Sequence, residues 1–170
     1  APIERTGCLL LTNAAYILAL SRLAQCAVAE PDARDAWARR VTRLRIAAHE
    51  RFLDPDTGIY VDAVLEDGAR SMVQSQHANA MAVLAGIHPV NQCQELLARI
   101  IAPGNLAAVP EGECQLRPED RVTQTGVVPV GTLWFGYWLC RALFECGLAT
   151  EALAQMRLLW GAHDDLPLFP

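Results

Sequence analysis

The sequence predicts an all-α fold of three antiparallel helical hairpins arranged in two layers. Stretches that are apolar nearly all round alternate with stretches that are apolar on one face only. A helix that is greasy on every side must be buried, and a one-sided helix lies outside it. The alternation also repeats: inner-type stretches begin near residues 7, 71 and 131, each followed by an outer-type partner, so one repeat of roughly 60 residues is one hairpin plus a loop. Turn residues fall between the periodic stretches.

The first inner helix is expected over 7–29, where Arg22 is the single charge. Glu30-Pro31-Asp32 turns the chain, with Asp32 the expected N-cap behind Pro31. The outer helix over 32–52 sets Trp37, Val41, Leu44, Ala48 and Phe52 at helical spacing, with arginines between them. Asp54-Pro55-Asp56-Thr57-Gly58 is a strong turn signal. The alternating run Ile59-Tyr60-Val61-Asp62-Ala63 that follows predicts extended chain. The second hairpin is expected at 71–87 and 89–101, and the third at 131–147 and 150–160, with Gly147 as the glycine that ends its inner helix. Residues 102–129 contain Pro103, Pro110, Pro118 and Pro129 and form the longest non-helical piece, a length that usually signals function or disorder.

A length of 170 residues suits one domain with a sizeable core, here residues 1–170. Hydrophobic residues make up 52% and charged residues 19%, a globular balance. The net charge of −5 lacks the basic footprint of a nucleic-acid binder, so no nucleic-acid partner is expected. Arg22 interrupts the longest apolar run, so no membrane span is expected. The opening APIERTG has neither Met nor the basic region of a signal peptide, and reads as a processed or excised start. Cys8, Cys26, Cys93, Cys140 and Cys146 sit in helical patterns and Cys114 in a loop, without the spacing of a zinc site. They read as buried, reduced thiols of a cytoplasmic protein, with a disulfide through Cys114 the lesser alternative. No metal or cofactor is expected.

Chemistry is sparse. There is no glycine-rich phosphate loop and no GxSxG. Asp54 and Asp56 read as turn residues before they read as an acid pair. Glu111 and Glu113 flank Gly112 in the long loop and offer a second carboxylate pair. The densest polar cluster inside an apolar stretch is Gln74-Ser75-Gln76-His77-Ala78-Asn79. Burying so many polar groups is costly unless each finds a partner. Either they form a satisfied core network at a helix start, or that start faces a polar cavity that holds a polyhydroxylated ligand. Trp134, Phe135, Tyr137 and Trp138 are either core or a platform for a sugar ring. The candidate substrate-binding residues are therefore Tyr60, Gln76, His77 and Trp134.

At these residues a family resemblance emerges. Residues 70–87, RSMVQSQHANAMAVLAGI, resemble the SQHANALA-type helix of glycoside hydrolase family 78, the α-L-rhamnosidases. Residues 12–25 are similar to its LNA-x-Y-x-x-AL helix and residues 51–63 to its F-x-DP-x-x-G-x-Y-x-D turn. Residues 130–161 resemble its GT-P-aromatic helix, its G-x-x-x-EAL hairpin and its closing WG, with Leu133 in place of the usual Pro. The resemblance implies the C-terminal half of a six-hairpin (α/α)6 toroid, a partial catalytic domain. It implies an inverting glycosidase as the parent, which needs an acid for the leaving oxygen and a base for water. No residue here matches either family carboxylate, because the acidic motif lies upstream of Thr12 and no WE follows Gly161. No catalytic residue is therefore assigned.

Three functions follow. The chain is part of, or a truncated relative of, a rhamnosidase-like hydrolase, inactive alone. Alternatively it is a non-catalytic carbohydrate-binding or structural half-barrel, completed as a homodimer through flanks such as Leu139. Or it is an unrelated lyase or epimerase using Tyr60, His77, Glu111, Glu113 and Trp134.

Overall fold

The computed structural model describes residues 6–26, 30–107 and 126–161. Among them are six α-helices: α1 (Leu10–Ala24), α2 (Pro31–Phe52), α3 (Gln76–Leu84), α4 (Cys93–Ile101), α5 (Leu133–Glu145) and α6 (Ala149–Trp160). Successive helices pair as α1/α2, α3/α4 and α5/α6. The inner helices also pack on one another, with α3 against both α1 and α5. The all-α class and the inner–outer rhythm are both present. Eight of the nine residues of α3, Gln76 to Val83, are buried, whereas α2 buries only Val41, Ala48 and Phe52.

The first inner helix is shorter than its apolar run. Residues 8–9 are extended, because β1 (Cys8–Leu9) pairs antiparallel with β2 (Ala63–Val64). Gly7 makes that possible. Its φ is +77°, and a Cβ there would sit 2.4 Å from the Val64 carbonyl oxygen, so an L side chain is excluded twice over. The second inner helix also starts late. Residues 71–75 run extended, with Ser71 N donating to the Ala63 carbonyl and Asp62 N to that of Val73. Here β3 (Gln74–Ser75) pairs parallel with β4 (Val127–Val128). Burial alternates along this segment, with Ser71, Val73 and Ser75 inside and Met72 outside, so α3 begins five residues later than the apolar stretch predicts. These two-stranded pairs are the largest sheets among the described residues.

Caps refine the other ends. Glu30, not Asp32, is the N-cap of α2; Pro31 takes the first helical position and Asp32 lies in the first turn, where its charge meets the helix dipole. The hairpin α5/α6 turns on Gly147 at φ +79°, with Leu148 N donating to the Leu143 carbonyl. Leu133 occupies the first helical position of α5 behind a Thr132 cap. Two sequence expectations need correction. Leu139 is fully buried in the core rather than on a flank. Cys8 and Cys26 are exposed rather than buried; the five described cysteines are free. Cys114, Glu111 and Glu113 lie outside the described residues.

Candidate functional site

The turn and the extended run after α2 place Tyr60 beside the start of α3. Asp54 holds the turn, accepting from Asp56 N at 3.1 Å and from the Thr57 hydroxyl at 2.8 Å, so the apparent acid pair is structural. Asn79, fully buried, clamps the strand to the helix. Its carboxamide accepts from Tyr60 N and donates to the Tyr60 and Ser75 carbonyls, each at 2.9 Å. Ser75 caps α3, accepting from Ala78 N at 3.2 Å and donating to buried Asp62 at 2.7 Å. Most of the polar cluster is therefore a satisfied core network.

Gln76 belongs to that network. Its amide donates to the Ile100 carbonyl at 2.9 Å and accepts from Val130 N at 2.8 Å, tying α3 to the segments on both sides. Tyr60 also has its hydroxyl committed, to His49 Nδ1 at 2.7 Å and His88 Nδ1 at 3.0 Å. His88 follows the C-terminal end of α3, so the phenol runs away from the N-terminal end. Burial, with His49 alongside, holds His88 below the usual imidazole range. The structure therefore separates the Tyr60 hydroxyl from His77.

His77 is different. Its side chain is buried, yet neither Nδ1 nor Nε2 has a hydrogen-bond partner among the described residues. Burial lowers its pKa to about 4, so the ring is neutral at ordinary pH. It meets Phe135 edge-on, with centroids 4.5 Å apart. Phe135 in turn meets Trp134 at 4.9 Å, and Trp134 meets Trp138 at 5.8 Å. The Trp138 indole Nε1 is the remaining buried side-chain nitrogen without a partner among the described residues. Trp134 itself is 65% exposed. The structure thus links His77 to Trp134 through Phe135 near the N-terminal ends of α3 and α5. It adds Phe135 and Trp138, which the sequence offered only as part of an aromatic group. An exposed indole face, an inner indole N–H and a neutral imidazole suit a neutral ligand that is apolar on one face and carries hydroxyls.

Comparison with solved structures agrees in outline. A rhamnosidase from Klebsiella oxytoca, solved with rhamnose bound, superposes with a TM-score of 0.67 over 92% of this chain, at 23% identity. The fold is rhamnosidase-like. The match covers 25% of that rhamnosidase, so the chain spans about a quarter of its length. No protein-family model matches the sequence, and no curated protein does. No metal-binding group of three or more His, Cys, Asp or Glu occurs among the described residues. No helix among them is long and apolar enough to cross a membrane.

Proposed function

We propose that this chain is a carbohydrate-binding part of an α-L-rhamnosidase-like glycoside hydrolase of family 78, and that its three hairpins are half of an (α/α)6 toroid. One observation carries the reading: among the described residues, buried Trp138 Nε1 has no partner beside the exposed indole of Trp134, and the equally unpartnered His77 ring joins the same aromatic group through Phe135, in a rhamnosidase-like fold. Orphaned buried nitrogens are rare in finished cores, where each costs about 1–3 kcal/mol. An apolar sugar face would stack on the exposed indole of Trp134, and its hydroxyls would reach the two buried nitrogens once the aromatic side chains over them move aside on binding. Gln76 braces α3 behind this site, and Tyr60 anchors the strand that Asn79 clamps to the same helix.

Catalysis is a separate matter. Neither carboxylate of the resembled family has a counterpart in the sequence, and acid and base groups each contribute roughly 10²–10⁴ in rate. The isolated chain binds sugar without turning it over. L-Rhamnose titrated against tryptophan fluorescence tests binding: saturable quenching, lost in Trp134→Ala, is expected. An unchanged titration in that variant removes Trp134 from the site. Hydrolysis of an aryl α-L-rhamnoside by pure protein, abolished by Glu111→Gln or Glu113→Gln, overturns the inactive reading in favour of an unrelated enzyme.

The flanks favour a second reading alongside the first. Tyr16 and Leu23 of α1 are exposed, and so are Tyr137 and Phe144 of α5. These two helices lie on opposite sides of α3 in the inner layer. Apolar stripes on both outer flanks suit further hairpins alongside, supplied here by a second copy in a two-fold ring.

A further inference from the structure

Two cysteines meet far from the sugar site and serve none of its chemistry. Cys93 opens α4, just after the turn that follows α3, and Cys146 caps the C-terminal end of α5. Gln94 holds the two ends together. Its amide donates to the Cys146 carbonyl at 2.8 Å, and a Cβ on Gly147 would sit 3.5 Å from the same nitrogen. Across this junction the two thiols hydrogen-bond to each other. Cys146 is the donor, because the bond draws Cys93 down and pushes Cys146 up. The Cys93 thiol donates in turn to the Pro89 carbonyl at 3.4 Å.

Cys93 is buried and Cys146 half-buried. Burial pushes both thiols up, Cys146 to about 11, so both are largely protonated at neutral pH. Their titratable neighbours are already engaged. Glu145 pairs with Arg141 at 2.7 Å, and the Tyr60 hydroxyl is held between His49 and His88. Buried Cys140 donates separately, to the Ala152 carbonyl at 3.8 Å. Exposed Cys8 and Cys26 flank α1 instead.

A disulfide draws its sulfur atoms to about 2 Å, and thiols already in hydrogen-bond contact can close that gap by side-chain rotation. The bond would tie the second hairpin to the third, across a loop of about 50 residues. Closing a loop of that size removes much of the freedom of the unfolded chain. The reduced pair, by contrast, joins the hairpins with one weak thiol hydrogen bond.

We propose that Cys93 and Cys146 form a redox site, in which exchange with a low-molecular-weight disulfide of the glutathione type joins them and fastens α4 to the end of α5. The Cys146 thiolate, on the more exposed of the two residues, attacks one sulfur of the small disulfide. One small thiolate leaves and takes up a proton. The Cys93 thiolate then attacks the Cys146 sulfur of the mixed disulfide and expels the second small thiolate, which is protonated in turn. The two cysteines give up two electrons and two protons, and the small disulfide becomes two thiols. The inference does not rest on the sugar-binding reading.

Glutathione disulfide is the probe. The wild-type chain is equilibrated with it at about pH 8.5, where more thiolate is present, then quenched, alkylated, digested and mapped by mass spectrometry. The map should show Cys93 linked to Cys146, with glutathione confined to other cysteines. Linkage should speed up as pH rises from about 7 to about 9, by up to about tenfold per unit, because both thiols titrate above that range or near its top. The oxidised chain should melt roughly 5–15 °C above the reduced one, a gain reversed by dithiothreitol and absent from Cys93→Ser and from Cys146→Ser. Four wild-type results would each overturn the proposal: both cysteines still open to alkylation at equilibrium, glutathione retained on Cys146, either cysteine linked to a third, or a linked chain that melts no higher than the reduced one. Those results decide it even where buried Cys93→Ser fails to fold.

Discussion

Replacing Asn79 by Ala should be the most damaging single truncation of a polar side chain in this protein. Asn79 is fully buried, and its carboxamide makes three hydrogen bonds of 2.9 Å, two to the Tyr60 backbone and one to the Ser75 carbonyl. Removal strands the Tyr60 N–H in the core, at about 1–3 kcal/mol. The two carbonyls lose a donor each, at about 0.5–1.5 kcal/mol apiece, and less for Ser75, which still caps α3. The sum is roughly 2–5 kcal/mol, a large share of the 5–15 kcal/mol typical of a domain. Urea denaturation followed by circular dichroism reads it directly. With a slope of about 2 kcal/mol per molar, the midpoint should drop by roughly 1–2.5 M. A loss below about 0.5 kcal/mol would mean that strand and helix are not held by this clamp, and that Tyr60 reaches its place for another reason.

The remaining predictions concern His77 and the exposed faces. His77→Leu should leave stability unchanged or raise it by about 1 kcal/mol, because the imidazole nitrogens have no partner to lose; a loss above 2 kcal/mol in thermal melts would show a hidden partner. His77 titrates near 4 when folded and near 6.5 when unfolded, so the unfolded chain binds the extra proton between those values. Stability should therefore fall as pH drops from 6.5 towards 4, by up to about 3 kcal/mol, and the His77→Leu variant should lack that part of the slope. Trp134→Ala should cost less than about 1 kcal/mol, since the indole is 65% exposed, while abolishing sugar binding. Tyr137→Glu with Phe144→Glu should split a two-fold ring into folded monomers; light scattering that gives 18.6 kDa for the wild-type chain at every concentration would rule the ring out.

The rhythm of the fold was legible because burial writes itself into helical periodicity. The outer helices showed this best: α2 and α6 begin within one residue of where their one-sided patterns place them. The inner ones were overextended because an apolar run carries no period, and only tertiary pairing makes Gln74–Ser75 a strand. The site was half legible. The sequence marked the polar start of α3 as anomalous, yet could not divide it. Asn79 and Gln76 turned out to be spent on backbone groups and Ser75 on the Ala78 N–H and the Asp62 carboxylate, and only His77 was left over. That division depends on partners some 13 to 54 residues away, such as Asp62 for Ser75 and Val130 for Gln76. The pairing of His49 with His88 through Tyr60 was invisible, because nothing in their spacing of 39 residues hints at a shared phenol.

The most direct test of the sugar-binding account is an NMR titration of the wild-type chain with L-rhamnose, following the tryptophan indole N–H signals and the His77 ring. The account predicts saturable shifts of the Trp138 and Trp134 indole resonances and of both His77 ring nitrogens, with Trp37 on α2 unmoved. Shifts confined to other residues, or none at concentrations that saturate a known rhamnose binder, would contradict it.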